Sequence, residues 1–224
     1  MHDTGVAMKV VVLIPAYNEA TVIRGVVEGV RALGYPVLVV DDGSTDATIF
    51  EAYVGGAEVL KGWHNAGVGA ALKWGVNEAR WMKSADIIVT FDADGQHDPR
   101  DIAPLVAALA DCDLANGSRF LGSVTGMPWH RRLVLFAARI VTSILCGQRI
   151  TDPCCGLKAF RPAAFRIRSH RMAWAAELCW RNRGRIKEVP VSVSYTPYSL
   201  HKGQRSRDAL RVGAELISAI RRAE

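Results

Sequence analysis

Four times in the first 110 residues, a short aliphatic run is followed by a stretch whose apolar positions fall three and four apart. The first run, residues 9–14, is unbroken and ends at Pro15, the pattern of a strand buried on both faces. Residues 20–33 then place Val22, Ile23, Val26, Val27, Val30 and Leu33 on one helical face, and Gly34 supplies a C-terminal stop. The same alternation predicts strands at 36–40, 57–60 and 87–91. Helices are predicted at 45–53, capped by Ser44 or Thr45, at 67–82, and from about 99 to 109. Alternating strands and helices build a parallel sheet covered on both faces, an α/β, Rossmann-like architecture. Ligands of such sheets bind beyond the carboxyl ends of the strands. Three of those ends are polar: Pro15-Ala16-Tyr17-Asn18-Glu19, Asp41-Asp42-Gly43-Ser44 and Asp92-Ala93-Asp94-Gly95-Gln96-His97. They are expected to converge on one edge.

Beyond residue 114 the rhythm changes. Asn116-Gly117-Ser118-Arg119 follows a fifth short strand, and an Arg-flanked apolar helix is predicted over 128–145. The turn Thr151-Asp152-Pro153-Cys154-Cys155-Gly156, a helix near 172–183 and a strand near 186–195 come next. A basic tail over 207–222 sets Leu210, Gly213, Leu216, Ile217 and Ile220 on one helical face. That face, like the one at 133–145, suits either an anionic membrane surface or the domain itself. There is no internal repeat or linker, so 1–224 reads as one domain. Residues 8–118 form a ligand-binding half, 119–207 a second half, and 208–224 a basic amphipathic helix.

Composition supports this picture: 224 residues, half of them hydrophobic, bury one sizeable core. The net charge of +6 conceals an asymmetry. Residues 1–118 carry 8 Lys/Arg against 16 Asp/Glu, net −8, and residues 119–224 carry 20 against 6, net +14. The first half can hold cations and the second can meet phosphates. The five cysteines are odd in number and lack CxxC spacing, which fits reduced thiols rather than disulfides or a zinc site. Adjacent Cys154 and Cys155 read as small fillers in preference to a redox pair. The N-terminus shows no leader pattern, and the apolar run at 133–145 is shorter than the roughly 20 residues of a membrane span. A cytoplasmic protein, or one peripheral to the cytoplasmic membrane face, is expected. Nucleic-acid binding fits poorly, because acidic strand ends repel a phosphate backbone.

Asp92 and Asp94 can turn toward one point, and Gln96 adds a third oxygen. Such hard ligands suit Mg²⁺ or Mn²⁺, which complete their shells with substrate phosphate and water. A calcium loop needs Gly at its sixth position and Glu at its twelfth, where this chain has His97 and Ala103. Asp98 before Pro99 reads as a helix cap. His97 is left open between a partner of the carboxylates and a plain loop residue. The 41–46 loop is either a glycine turn or a set of acceptors for a base or ribose.

These stretches carry a resemblance. Val12-Leu13-Ile14-Pro15-Ala16-Tyr17-Asn18-Glu19, Val39-Val40-Asp41-Asp42-Gly43-Ser44-Thr45-Asp46, Asn65-Ala66-Gly67-Val68-Gly69, Asp92-Ala93-Asp94-Gly95-Gln96-His97 and Gly117-Ser118-Arg119 stand in the order and spacing of family 2 glycosyltransferases. The chain is most similar to the dolichyl- and polyprenyl-phosphate hexosyltransferases, over about residues 8–207. The resemblance implies a GT-A fold and a nucleotide-sugar donor, a GDP- or UDP-hexose. Pro15, Ala16, Tyr17, Glu19, Val40, Asp41 and Asp42, with Asp92 and Ala93, would hold the donor nucleotide. Asp92, Asp94 and Gln96 would hold Mg²⁺ or Mn²⁺ and the diphosphate. Arg119 would approach the donor and acceptor phosphates, and Lys202 and Arg205 belong to a basic loop over the diphosphate.

The acceptor decides what else the site needs. A sugar hydroxyl is a poor nucleophile and requires a general base, for which Asp152 is the candidate. A polyprenyl phosphate arrives anionic and needs cations to position it, for which Arg119, Arg131 and Arg132 are candidates. The expected catalytic set is therefore Asp94, Arg119 and Asp152. The expected reaction is inverting, metal-dependent transfer of mannose or glucose to a polyprenyl phosphate, with peripheral membrane contact or a separate membrane subunit. The alternatives are transfer to a hydroxyl of an envelope glycan, or a nucleotide-sugar-binding module without catalysis.

Overall fold

The computed structural model describes residues 8–202 and 209–221. The predicted alternation is present as β1 (Val10–Ala16), α1 (Ile23–Arg31), β2 (Val37–Asp41), α2 (Thr48–Val54), β3 (Glu58–Lys61), α3 (Val68–Trp81), β4 (Ile87–Thr90) and α4 (Ile102–Ala108). The second half adds β5 (Leu114–Thr125), α5 (Trp129–Cys146), β6 (Lys158–Phe160), α6 (Trp174–Arg181), β7 (Ile186–Ser194), α7 (Pro197–Lys202) and α8 (Ala209–Arg221). One seven-stranded sheet runs in the order β3-β2-β1-β4-β6-β5-β7. Its strands are parallel except for β6, which pairs antiparallel with both β4 and β5.

Period-two alternation sorts the core into two layers. Val12, Ile14, Val39 and Val89 face α1 and α4, meeting Ile23, Val27, Ile102 and Leu105. Val11, Leu13, Leu38, Val40 and Ile88 face α3 and α6, meeting Leu72, Val76, Trp174 and Leu178. Helix α3 lies so close to the sheet that a Cβ on Gly75 would enter the side chains of Leu13 and Val40.

The structure departs from the predicted elements in five places. Helix α2 starts at Thr48, not 45, because Asp46 rather than Ser44 or Thr45 accepts the Thr48 amide, at 2.9 Å. Strand β5 continues to Thr125, pairing along β7 past an irregularity between Ser118 and Ser123. Strand β6 and helix α7 were not anticipated. The tail helix α8 packs on the domain: Leu216 and Ala219 are buried, and Val212 and Ile220 pack against Ala173 and Ala176, while Ile217 is exposed. Its buried face is thus turned from the one expected. Arg205, Arg207 and Arg222, and the side chains of Leu210 and Arg211, lie outside the described residues.

Helix α5 presents Trp129, Leu133, Phe136, Ile140 and Ile144 to solvent. Among the described residues, no helix is long and apolar enough to cross a membrane. All five cysteines are free, and burial pushes the Cys155 thiol up to about 12, which fits a filler and not a reactive thiolate.

Candidate active site

Register brings the polar strand ends together. Ala16 pairs with Asp41 at the β1–β2 edge, and Leu13 pairs with Thr90 two residues before Asp92. Asn18 takes a positive φ of 55°, and its Oδ1 accepts from the Thr45 amide at 2.8 Å, locking the first two loops to each other. Asp42 serves the third motif: Oδ1 accepts from the Ala66 amide at 2.9 Å and Oδ2 from the Gly67 amide at 2.8 Å, fixing the approach to α3. Beside them lies a cavity of about 330 Å³, walled on this side by Pro15, Ala16, Tyr17 and Asp42.

Glu19 leaves β1 and accepts a hydrogen bond from the Tyr198 hydroxyl at 2.7 Å, which ties α7 to this edge. Lys202 donates to the carbonyls of Tyr17 (3.1 Å) and Asn18, so its ammonium clamps the β1 loop. Burial raises the Glu19 carboxyl above its usual range, against the lowering pull of Tyr198 and Lys202. Asp41 is buried, accepting the Ser44 amide at 3.1 Å. Val40 sits in the core against α3.

The loop after β4 is compact. His97 Nε2 lies 3.0 Å from Asp92 Oδ2, and its ring stands edge-on to Phe91 with centroids 5.7 Å apart. His97 is 7 % exposed, whereas the Asp92 side chain keeps 40 % of its surface, so the buried ring orients the accessible carboxylate. The histidine is therefore a partner of the carboxylates. Gln96 donates from its backbone (3.1 Å) and side chain (2.7 Å) to the two oxygens of Asp94. A Cβ on Gly156 would run into the Asp92 carboxylate, so glycine is required where that turn covers it.

Electrostatics distinguish the two acids. Burial opposes the Asp92 charge, but the hydrogen bond and charge of His97, with Arg119 and Lys158, hold its carboxyl below the usual range. Asp94 is pushed up to about 6 by burial and then by the Asp92 charge. Two carboxylates that repel each other, one of them held by the Gln96 side-chain amide, fit a divalent cation. Among the described residues no three His, Cys, Asp or Glu side chains cluster as a metal cage. Asp98 caps the next helical turn, accepting the Arg100 amide at 2.9 Å, with Pro99 at its first position.

On the other flank, Arg119 is 7 % exposed, and its Nε donates to Asp152 Oδ2 at 2.5 Å. Its Nη1 donates to the Tyr195 hydroxyl, and the Arg131 guanidinium lies 5.0 Å from the centre of that ring. Asp152 is fully buried. Burial works against the Arg119 charge, but Asp152 outweighs it and raises the guanidinium's pKa still further. The turn bearing Asp152 is held by Glu188, which accepts the Thr151 amide at 2.8 Å and the Asp152 amide at 3.1 Å. Asn116 joins the set, donating to the Asp152 carbonyl at 3.0 Å and accepting from the buried Lys158 ammonium. Opposite charges thus alternate through a packed polar network.

The structure gathers Asp92, Asp94 and Gln96 in one loop and brings Arg119 close enough to influence Asp92. Arg131 joins through Tyr195, while Arg132 is exposed on α5. Asp152, proposed from sequence as a base, is sealed against Arg119 and offers no accessible carboxylate. Tyr195 and Tyr198 had no role in the sequence reading. Extending the strand-end rule to β7 would have pointed to Tyr195, the next residue beyond Ser194.

A mostly parallel sheet with a paired-carboxylate loop beyond β4, a cavity at the β1–β2 ends and a basic second half defines a glycosyltransferase of the GT-A fold. The chain belongs to glycosyl transferase family 2, whose model matches residues 11–168. It is 32% identical to the UDP-N-acetylglucosamine--dolichyl-phosphate N-acetylglucosaminyltransferase of Methanococcus voltae, over 85% of this chain and 88% of that protein. It is 30% identical to the polyprenol monophosphomannose synthase of Mycolicibacterium smegmatis, over 92% of this chain and 86% of that one. The fold matches a crystal structure of glucosyl-3-phosphoglycerate synthase from Mycobacterium tuberculosis in complex with Mn²⁺, UDP and glucosyl-3-phosphoglycerate. The TM-score is 0.71, with 21% identity, over 94% of this chain and 80% of that one.

Proposed function

We propose that this glycosyltransferase moves a hexose from a nucleoside-diphosphate sugar to a polyprenyl phosphate, with inversion at the anomeric carbon. The observation that carries the acceptor choice is the state of Asp152. The one carboxylate proposed as a base is fully buried in an ion pair, and what that pair presents to the site is the Arg119 guanidinium. A hydroxyl acceptor needs a base, whereas a phosphomonoester is already anionic and needs a cation to orient it. The names of the relatives support the same class of acceptor.

As sugar and diphosphate separate, negative charge grows on the leaving oxygen. Asp92, Asp94 and Gln96 would hold a divalent cation there, and that ion would stabilise the charge as a Lewis acid. His97 keeps Asp92 aimed, and Asp152 with Tyr195 keeps Arg119 fixed, so neither must reorganise during transfer. Pro15, Ala16, Tyr17 and Asp42 take the nucleoside. Helix α5 carries His130, Arg131, Arg132 and Arg139 and no acid beside its exposed apolar stripe, which suits an anionic bilayer surface at the cytoplasmic face.

The test is transfer of radiolabelled sugar from UDP- and GDP-hexoses to polyprenyl phosphate, followed into organic-extractable lipid. Transfer is expected with Mg²⁺ or Mn²⁺, and its loss with EDTA or in Asp94→Ala. No transfer from any donor, or full activity of Asp94→Ala, would overturn the reading.

A further inference from the structure

We propose that helix α8 and the segment 169–173 form the second wall of the nucleotide cavity, and that Glu215 is the residue that positions this wall around the donor's base. The proposal rests on the nucleotide-sugar reading above and adds to it a contribution from the C-terminal helix.

The cavity lined by Pro15, Ala16, Tyr17 and Asp42 is lined also by Arg171, Met172, Val212 and Glu215. None of these four belongs to a motif that relates the chain to its family, and two lie on α8. Met172 and Val212 contribute apolar lining, and Asp42, Glu215 and Arg171 contribute polar lining. An apolar wall with a few placed polar groups is the usual lining of a pocket for a flat, partly polar ligand. A thioether adapts well to an aromatic face.

The wall is built, not incidental. Glu215 Oε1 accepts the amides of His170 at 3.1 Å and Arg171 at 2.8 Å, and Oε2 accepts the amide of Ala173 at 3.3 Å. From the other side, Glu177 accepts the amides of Arg168 at 2.9 Å and Ser169 at 2.8 Å. Two carboxylates from two helices therefore hold five amides of one short segment. The segment also rests on the start of α3, where the His170 carbonyl accepts the Ala70 amide at 3.1 Å. That seat exists because of glycine: a Cβ on Gly67 would meet the His170 carbonyl, and one on Gly69 the Ser169 carbonyl. Since Asp42 fixes the Gly67 amide from below, one chain of contacts runs from the β2 end through α3 and the segment to α8. A wall preassembled in this way lowers the ordering cost of binding. Removing Glu215 leaves three amides without their acceptor and frees Arg171 and Met172 to move.

The experiment is isothermal titration of the full chain with UDP and GDP, and separately with inorganic pyrophosphate, all in Mn²⁺. Pyrophosphate probes the cation and diphosphate end without a base. Wild type, Glu215→Ala, Glu215→Gln and Val212→Trp are compared, with thermal melts alongside. Glu215→Ala is expected to weaken nucleoside diphosphate binding about tenfold while leaving pyrophosphate binding unchanged. Glu215→Gln, which keeps one acceptor oxygen, should recover part of the loss. Val212→Trp fills the cavity, so it should lose the nucleotide and keep pyrophosphate, which tests the wall even where Glu215→Ala fails to fold. Nucleotide affinities equal to wild type in both Glu215→Ala and Val212→Trp would overturn the proposal. So would parallel losses for nucleotide and pyrophosphate, the mark of a general structural role. Wild-type protein that binds pyrophosphate and no nucleoside diphosphate would instead sink the donor reading itself.

Discussion

Replacing Asp152 with asparagine separates a structural carboxylate from a catalytic base. The substitution keeps the shape and removes the charge. Asn can still accept one hydrogen bond, but Arg119, 7 % exposed, loses the anion that balances it. Removing one partner of a buried ion pair costs about 3–5 kcal/mol, and the retained hydrogen bond places Asp152→Asn near the lower end, at about 3 kcal/mol. For a chain of this length that is a melting-temperature loss of about 6–12 °C. Arg119→Met should cost at least as much, because it strands a carboxylate with no exposure. The double variant should fall short of the sum of the single losses by about 2 kcal/mol or more. Thermal and urea unfolding of the four proteins measure the cycle. If Asp152→Asn melts within about 1 kcal/mol of wild type and yet loses transfer, the carboxylate is a base, and the argument for an anionic acceptor fails with it.

Three further outcomes are expected. Burial raises the Glu177 carboxyl, but hydrogen bonds from Ser169, Arg181 and Arg168 outweigh burial and hold it below the ordinary 4.5. Its stabilisation is therefore complete above that value and lost as pH falls through the depressed one. Glu177→Gln should cost about 2–3 kcal/mol at pH 7, and its stability should fall less than that of wild type between pH 6 and pH 3; parallel pH curves would refute this. In Gly156→Ala the new methyl group displaces the Asp92 carboxylate, a movable side-chain end, rather than backbone. Mn²⁺ affinity should drop about tenfold or more with little change in melting, and unchanged affinity by titration would count against the assigned ligand loop. Phe136→Glu, in the middle of the exposed α5 stripe, should reduce cosedimentation with anionic phospholipid vesicles while sparing nucleotide binding. Equal sedimentation would remove α5 from the membrane reading.

The first half of the fold was legible because its signals are periodic. Aliphatic runs at β1, β2 and β4 stop at polar loops, and their register alone brings those loops together. The second half hides its logic in single residues. Strand β6 is three residues long and begins with Lys158, a residue type that reads as surface until Asn116 and the Pro153 carbonyl are seen around its ammonium. Helix α7 starts at Pro197 after a turn in which Thr196 and Ser199 bond each other's backbones, a pattern that looks like loop in one dimension. The pairing of Arg119 with Asp152 spans 33 positions and has no local trace. Nor has the clamp of Glu215 on a segment more than forty residues away.

Two kinds of buried and half-buried carboxylate stand out, and the contrast between them locates the chemistry. Asp42, Glu177, Glu188 and Glu215 each accept backbone amides from distant or neighbouring segments, so they act as fasteners for the loops at the sheet edge. Asp152 serves a guanidinium in the same spirit. Asp92 and Asp94 differ. Their partners lie within their own loop, at His97 and Gln96, and Asp92 raises the pKa of Asp94. Fasteners are worth keeping only where something else needs a fixed position. At the centre of the fastened loops Asp92 is held by His97, Arg119 and Lys158, while Asp94 beside it keeps a charge that burial and Asp92 both oppose. That imbalance is what a cation and a diphosphate arriving together would satisfy, so a substitution at any fastener should weaken the site without supplying or removing its charge.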